Sequence, residues 1–369
     1  MKKVGVFFFL YLLNSQFLVA QEAADSTQSL TLSAHSDVYF ANFSGESEAN
    51  SLQPVTTVSP RDERFGLNIA QLGVHYNADR VRGNVIIHYG DIAEATWSEE
   101  FRAVQEANMG VRLFDKWWVD AGFFATHIGT ESFLPKNNYT SATAVATYNE
   151  PFFQSGARLS YEGSERLDFA FWVVSGYNYF LDANDAKSVG IATSYALSDN
   201  LNLTYTNLFG RESLDGQEPE QYRTYHNLYA NWQPADSWFV IIGGDLGTQT
   251  NSELENPNGT AFMYNALTTV RWQFSPLYSI TARGEIFQDP EGFISGIYTT
   301  FDDSIAGLEL YGLTLSTEYR PLENAYVRLE GRYLETLNEI TIFDNADMTT
   351  HRWEMMITMG WEIEKAWAW

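Results

Sequence analysis

The 369-residue sequence contains no cysteine. That absence excludes a disulfide scaffold, a Cys-ligated zinc or iron–sulfur centre, a cysteine nucleophile and a lipid-modified cysteine anchor. Cations are scarce as well: 22 Lys and Arg stand against 47 Asp and Glu, a formal charge of −25. Nucleic acid is therefore not expected as a partner, because phosphate contacts need clustered cations. Past the N-terminal region no run of 18 apolar residues occurs, so no membrane-spanning helix is expected there. The six histidines, His35, His75, His88, His127, His226 and His351, are scattered without His-x-His or HExxH spacing. No GxSxG elbow, Walker loop or dinucleotide fingerprint is present. The sequence thus offers no catalytic set, no metal site and no cofactor, and the expectation is a protein that is not an enzyme.

What the chain does have is aromatic residues: 25 Phe, 21 Tyr and 11 Trp. Mean hydropathy is −0.25, too polar for a bundle of membrane helices. With 26 glycines and only 19 % charged residues, the chain is not a disordered acidic polymer either. The N-terminus reads as a secretory leader. Lys2 and Lys3 precede an apolar stretch from Val4 to Leu13, and a small residue, Ala20, stands before Gln21. Cleavage after Ala20 would remove two lysines and leave −27. The expected organisation is a signal peptide over 1–20, a short periplasmic lead-in over 21–29, and one domain over 30–369. No plug domain fits ahead of the first strand, which speaks against an energised transporter of the plugged-barrel kind.

From residue 30 onward the chain repeats one unit: a segment alternating apolar and polar residues, then a turn or a polar loop. In Ala325–Glu335, Val327, Leu329, Gly331 and Tyr333 fall on one face and Arg328, Glu330 and Arg332 on the other. A strand presents successive side chains to opposite faces, so one face is oily and the other charged. Sixteen such segments can be drawn. Their connections alternate between short turns and long loops, the latter at 42–63, 91–105, 127–152, 176–187, 211–221, 250–260, 290–307 and 336–349. That alternation predicts an all-β fold, an antiparallel up-and-down transmembrane barrel of about sixteen strands with both termini periplasmic. A soluble sandwich or propeller would also alternate, but would not gather Trp at one end. Eight of the eleven tryptophans, Trp117, Trp118, Trp232, Trp238, Trp272, Trp361, Trp367 and Trp369, fall beside a short turn or at the C-terminus. They are expected to form an aromatic girdle at a membrane interface.

The charged face supplies the candidate pore lining: Arg82, Arg112, Arg158, Arg223, Arg271, Arg283, Arg328, Arg332 and Arg352, with Glu106, Asp120, Asp168, Glu285, Glu318, Glu330 and Glu354. Sixteen strands enclose an aqueous channel where eight would be filled by their own side chains. Opposed charges in such a lumen favour small hydrated solutes over greasy ones. They also disfavour a narrow transporter of hydrophobic molecules, whose lumen would be apolar. The long loops carry 24 Asp and Glu against 5 Lys and Arg, giving an acidic rim. Such a rim concentrates cations at the mouth and offers divalent-ion bridges to lipopolysaccharide. The longest loop, 127–152, is the candidate constriction, with His127, Glu131, Asn137 and Asn138 as its residues of interest.

One resemblance adds to this reading. Arg64-Phe65-Gly66-Leu67-Asn68-Ile69-Ala70-Gln71-Leu72-Gly73-Val74 and Gln105-Glu106-Ala107 are followed by Val119-Asp120-Ala121-Gly122 and His127-Ile128-Gly129-Thr130-Glu131-Ser132. Ser155-Gly156-Ala157-Arg158-Leu159 and Ser175-Gly176-Tyr177-Asn178 complete the set. Through about residue 180 the chain resembles the OmpL-like outer-membrane β-barrel porins of Gram-negative bacteria, a Bacteroidetes-type family. The second half resembles them only in rhythm. The resemblance implies an outer-membrane location and passage of small hydrophilic solutes or ions. It supplies no catalytic residues. Porins often trimerise, so a homotrimer is a further expectation. The rival function is a barrel that binds a partner or anchors a complex without significant conductance.

Overall fold

The computed structural model describes residues 28–45, 50–162, 164, 166–301, 304–343 and 349–369. The expected leader and most of the expected lead-in lie outside these residues. The alternating segments form sixteen long strands: β1 (Gln28–Phe43), β2 (Arg64–Ala78), β3 (Val81–Tyr89), β4 (Val104–Phe114), β5 (Trp117–Ala125), β6 (Phe153–Tyr161), β7 (Leu167–Val174) and β8 (Ser188–Ser198), then β9 (Leu201–Arg211), β10 (Tyr222–Ala235), β11 (Trp238–Thr250), β12 (Thr260–Trp272), β13 (Tyr278–Gln288), β14 (Glu309–Leu322), β15 (Ala325–Thr336) and β16 (His351–Ala368). Each pairs antiparallel with its neighbours in sequence, and β1 pairs with β16, closing the barrel. The seam runs in continuous register from Ser29 opposite Ala368 to Phe43 opposite Glu354. Closure leaves no strand edge, which is the condition for a sheet to sit in hydrocarbon. Among the described residues no helix is long and apolar enough to cross a membrane, which says nothing of a barrel.

The period of two runs through the wall, interrupted by bulges such as those at Asp37/Val38 and Ile86/Ile87. On β15, Arg328 and Glu330 are at most 1 % exposed while Leu329 between them is 56 % exposed. The register lines these up into rows: Glu318, Arg328 and Thr358 face inward side by side, and Thr317, Leu329 and Ile357 face outward. The outer surface is consequently a belt of Leu, Val, Ile, Met and aromatic side chains.

Aromatic residues bound that belt at both ends. At the short-turn end Trp238 stacks on Trp272 at 5.7 Å, and Trp272, Phe274, Tyr278 and Tyr319 continue the ring. Trp117 packs on Tyr161 at 5.1 Å. At the long-loop end the ring is built from Phe40 on Phe65, Phe209 on Tyr222 and Tyr333 on Trp353. Trp353 and Trp361 lie eight residues apart on β16. At ~3.4 Å per residue and a tilt of ~40° that is about 21 Å across, close to the ~25 Å apolar band of such barrels.

Trp118 does not stand in the outward ring. It is 5 % exposed and faces inward, with the guanidinium of Arg82 4.4 Å above its ring and that of Arg112 at 5.0 Å. Trp117 and Trp118 are consecutive, so parity allows only one of them to face out.

The long-loop end carries the irregular structure: helix α1 (Asp91–Thr96), helix α2 (Val145–Asn149), short 3-10 turns at Glu99–Phe101 and Pro135–Asn137, and a small hairpin pairing Tyr298–Thr299 with Ile305–Ala306.

Candidate functional site: the lumen and the loop that crosses it

All sixteen side chains of the expected pore lining point into the barrel, and none is exposed. What they touch there differs from the open aqueous wall that the sequence suggests. Connection 126–152, between β5 and β6, folds into the lumen and reaches the far wall. The wall residues that contact it do so mainly by satisfying its backbone.

On the near side His127 lies flat on Trp172, ring centroids 4.7 Å apart. Its Nε2–H donates to the Asn207 carbonyl at 2.9 Å, and its Nδ1 is 2.8 Å from the Gln154 amide. The group facing Nδ1 is Gln154 Oε1, so the ring is held by acceptors on both sides. Burial pushes the His127 imidazole down to about 4, which keeps it neutral at physiological pH. Asn227 on β10 donates to Thr130 Oγ1 at 2.9 Å.

On the far side Arg283 grips Glu131, with Nη1 at 3.0 and 2.9 Å from its two oxygens, and also donates to the Ala142 carbonyl. Arg328 donates to the carbonyls of Pro135, Asn138 and Thr140 at 2.7–3.1 Å. Glu330 accepts from the amides of Ser141 and Ala142, and Glu285 from that of Val145. A loop in a lumen has backbone groups that neither strand nor helix satisfies. Here charged side chains of the wall satisfy them, with charge-assisted bonds that are stronger than neutral ones.

Behind the loop the same residues form an ion-pair lattice across β12 to β16. Glu318 binds Arg271, Arg320 and Arg328, Glu285 binds Arg283 and Arg332, and Glu354 binds Arg352 at 2.6 Å. Arg283, Arg328, Arg332 and Arg352 are fully buried. These side chains therefore pin the loop and stiffen the wall rather than border open water. The sequence shows their direction but not their partners, which lie up to 193 residues away.

Of the expected constriction residues, His127 and Glu131 are anchors of the loop. Asn138 braces it internally, its Oδ1 accepting from the Ser132 amide at 2.9 Å. Asn137 only approaches Ser132 Oγ, at 3.4 Å. Residues the sequence reading passed over include Lys136, paired with Glu362 at 2.9 Å, and Glu150. Glu150 sits over Gly129, whose φ of 120° favours glycine and where a Cβ would lie 2.5 Å from Glu150 Oε2. Burial, then the nearby charges of Asp245 and Glu131, hold the Glu150 carboxyl well above the usual range.

The interior is also less uniformly polar than the sequence suggests. Inward residues nearest the long loops are apolar: Trp172, Val174, Leu208, Tyr225, Met263, Phe287, Leu310 and Leu334. They pack against loop residues Val55, Ile128, Val145, Ala146, Leu308 and Phe343. These loop side chains would otherwise face water, and folding into the mouth removes them from it.

Polar space remains on the side of β1 to β6. A cavity of about 150 Å3 lies between the loop and this wall, lined by Gln71, His75, Gln105, Glu106 and loop residues from Thr126 to Phe152. A smaller cavity bordered by Arg82, Asn84, Asn108, Asp120 and Arg158 shares His75 with it and lies toward the short turns. Arg82 and Arg158 both bind Asp120, the latter at 3.1 Å. Gly110 makes room for this arrangement, since a Cβ there would lie 2.1 Å from Asp120 Oδ1.

Comparison with known proteins bears on this architecture. The family model described as "Putative beta-barrel porin-2, OmpL-like" matches residues 29–361. Among curated proteins no sequence matches. Among the solved structures that share the fold are three at 9 % identity each. The anion-selective porin from Comamonas acidovorans superposes with a TM-score of 0.59, covering 91 % of this chain and 100 % of that one. An in-vitro folded OmpT of Vibrio cholerae in trimer form gives 0.56, with 92 % and 99 % covered. The outer membrane channel DcaP of Acinetobacter baumannii gives 0.56, with 91 % and 97 % covered.

Proposed function

The chain belongs to the OmpL-like β-barrel porin family of the Gram-negative outer membrane, and from that premise we propose that it passes small hydrophilic solutes or ions by diffusion through a loop-constricted lumen. The observation that carries this reading is the polar space along β1 to β6, two adjoining cavities lined by amides, carboxylates and guanidinium groups. The opposite half of the lumen is taken up by the seated loop. Long loops then face the exterior, and the short turns and both termini face the periplasm. In this reading the charged groups serve to hold the loop or to face solute.

The acidic loops should concentrate cations at the mouth, in contrast to the anion-selective porin from Comamonas. They would also bind divalent ions that bridge lipopolysaccharide phosphates. The trimer form of the Vibrio protein supports a homotrimer here, which native mass spectrometry of detergent-extracted protein would read directly.

Planar-bilayer recording of the pure folded protein tests the proposal. Discrete current steps with a reversal potential favouring potassium over chloride are expected. The apolar packing across the mouth favours one alternative, a barrel that binds a partner at its loops and does not conduct. Silence from folded protein would support that alternative and contradict the porin reading.

A further inference from the structure

The carboxylates around the larger cavity differ in how they are neutralised. Glu131 is gripped by Arg283 at 2.9 Å, and Lys136 is tied to Glu362 at 2.9 Å. Glu106, Glu150 and Glu364 border the same cavity, and among the described residues no Lys or Arg nitrogen lies within ion-pair distance of any of them, although the Arg158 charge acts on Glu106. Glu106 accepts from the Asn84 amide at 3.1 Å. Glu150 Oε1 has no hydrogen-bond partner among the described residues, and neither has Thr147 Oγ1 beside it on the cavity wall. Both residues are 4 % exposed. A buried acceptor without a donor costs roughly 1–3 kcal/mol, and a charged one more. Burial, then the nearby charges of Asp245 and Glu131, hold the Glu150 carboxyl above the usual range, and a cationic donor in the cavity would both satisfy Oε1 and offset those charges.

We propose that this cavity is a binding subsite for a small organic cation bearing a primary ammonium group. An ammonium nitrogen carries three donors, and the cavity wall offers Glu150 Oε1, Thr147 Oγ1 and the Glu106 carboxylate as acceptors. The carbon portion finds the rings of Phe133, Phe152 and Tyr229, which also border the cavity. Ring faces attract cations and shed apolar surface from water. A bare metal ion fits poorly, since no group of three or more His, Asp or Glu among the described residues converges as metal ligands would. An anion fits poorly too, because Lys136 is already paired. The inference rests on the loop-constricted lumen of the proposed function, and it does not require current to flow.

Titration of the full detergent-folded barrel with n-butylammonium chloride, followed by ligand-observed NMR, tests it. The probe should bind, with n-butanol and sodium butyrate at least tenfold weaker. Glu150→Gln should weaken binding at least fivefold. Glu106→Gln should do the same and serves as the second variant if the first does not fold, folding being read from the tryptophan spectrum. Glu335→Gln, far from the cavity, should leave binding unchanged. Butanol binding as tightly as butylammonium, or full affinity in both carboxamide variants, would overturn the subsite. A barrel that conducts without binding the probe overturns the subsite alone. One that binds the probe but stays silent in a bilayer overturns the channel reading alone.

Discussion

Arg328 shows what a single residue can and cannot reveal. Its direction follows from parity with Val327 and Leu329. Its task is fixed by three loop carbonyls and by Glu318, none of which is near it in the chain. An open-wall reading predicts that Arg328→Glu changes ion selectivity far more than Val327→Thr does. The structure adds a second effect, because the variant places a carboxylate against carbonyl oxygens and beside Glu318. Arg328→Ala isolates that effect. Removing one partner of a buried charged pair typically costs about 3–5 kcal/mol, so a lowered unfolding temperature and a larger, noisier unitary current are expected. An unchanged current would show that Arg328 does not hold the loop. Gly129→Ala is a second test at this scale. Its positive φ and the crowding against Glu150 should cost about 1–3 kcal/mol, seen as a lower unfolding temperature, whereas Gly331→Ala, with open space around its Cβ position, should show little.

The elements that repeat were the most legible. All sixteen strands follow from alternation and from the rhythm of short and long connections, because an oily side and a watery side impose a period of two on every one. The girdle at the short-turn end was legible from tryptophan. The ring at the other end is built mostly from Tyr and Phe and contains only Trp353 as a flag, so it was not. Loop 126–152 was legible in its length alone. Its seat depends on His127, Glu131 and a series of backbone groups meeting a carbonyl of β9 and side chains from β10, β13 and β15, and no periodic pattern records such meetings. Deleting residues 137–147 removes the segment touched by Glu330 and Glu285. The shortened protein should remain a barrel, since the loop joins β5 to β6 without belonging to the sheet, and its unitary conductance should rise several-fold in planar bilayers. No rise would mean that the loop does not limit the current.

For the whole molecule, closure and filling are separate facts. Closure was readable, because sixteen antiparallel strands bring the first beside the last, and β1 does pair with β16. Filling was not, because it depends on loops from distant parts of the chain meeting inward residues such as Trp172, Phe287 and Leu334. The consequence is an asymmetric lumen, packed by the loop against β13 to β15 and polar along β1 to β6. The absence of cysteine makes this asymmetry measurable, since a single introduced thiol is the only one present. Ser33 borders the larger cavity, whereas Ser316 is buried behind the seated loop, 1 % exposed. Serine to cysteine is nearly isosteric at both places. The most direct measurement is bilayer current during addition of a water-soluble, charged methanethiosulfonate. Ser33→Cys should lose current as the reagent attaches, and Ser316→Cys should not respond. Rapid block of Ser316→Cys with Ser33→Cys unaffected would place the water path on the opposite wall and contradict the account.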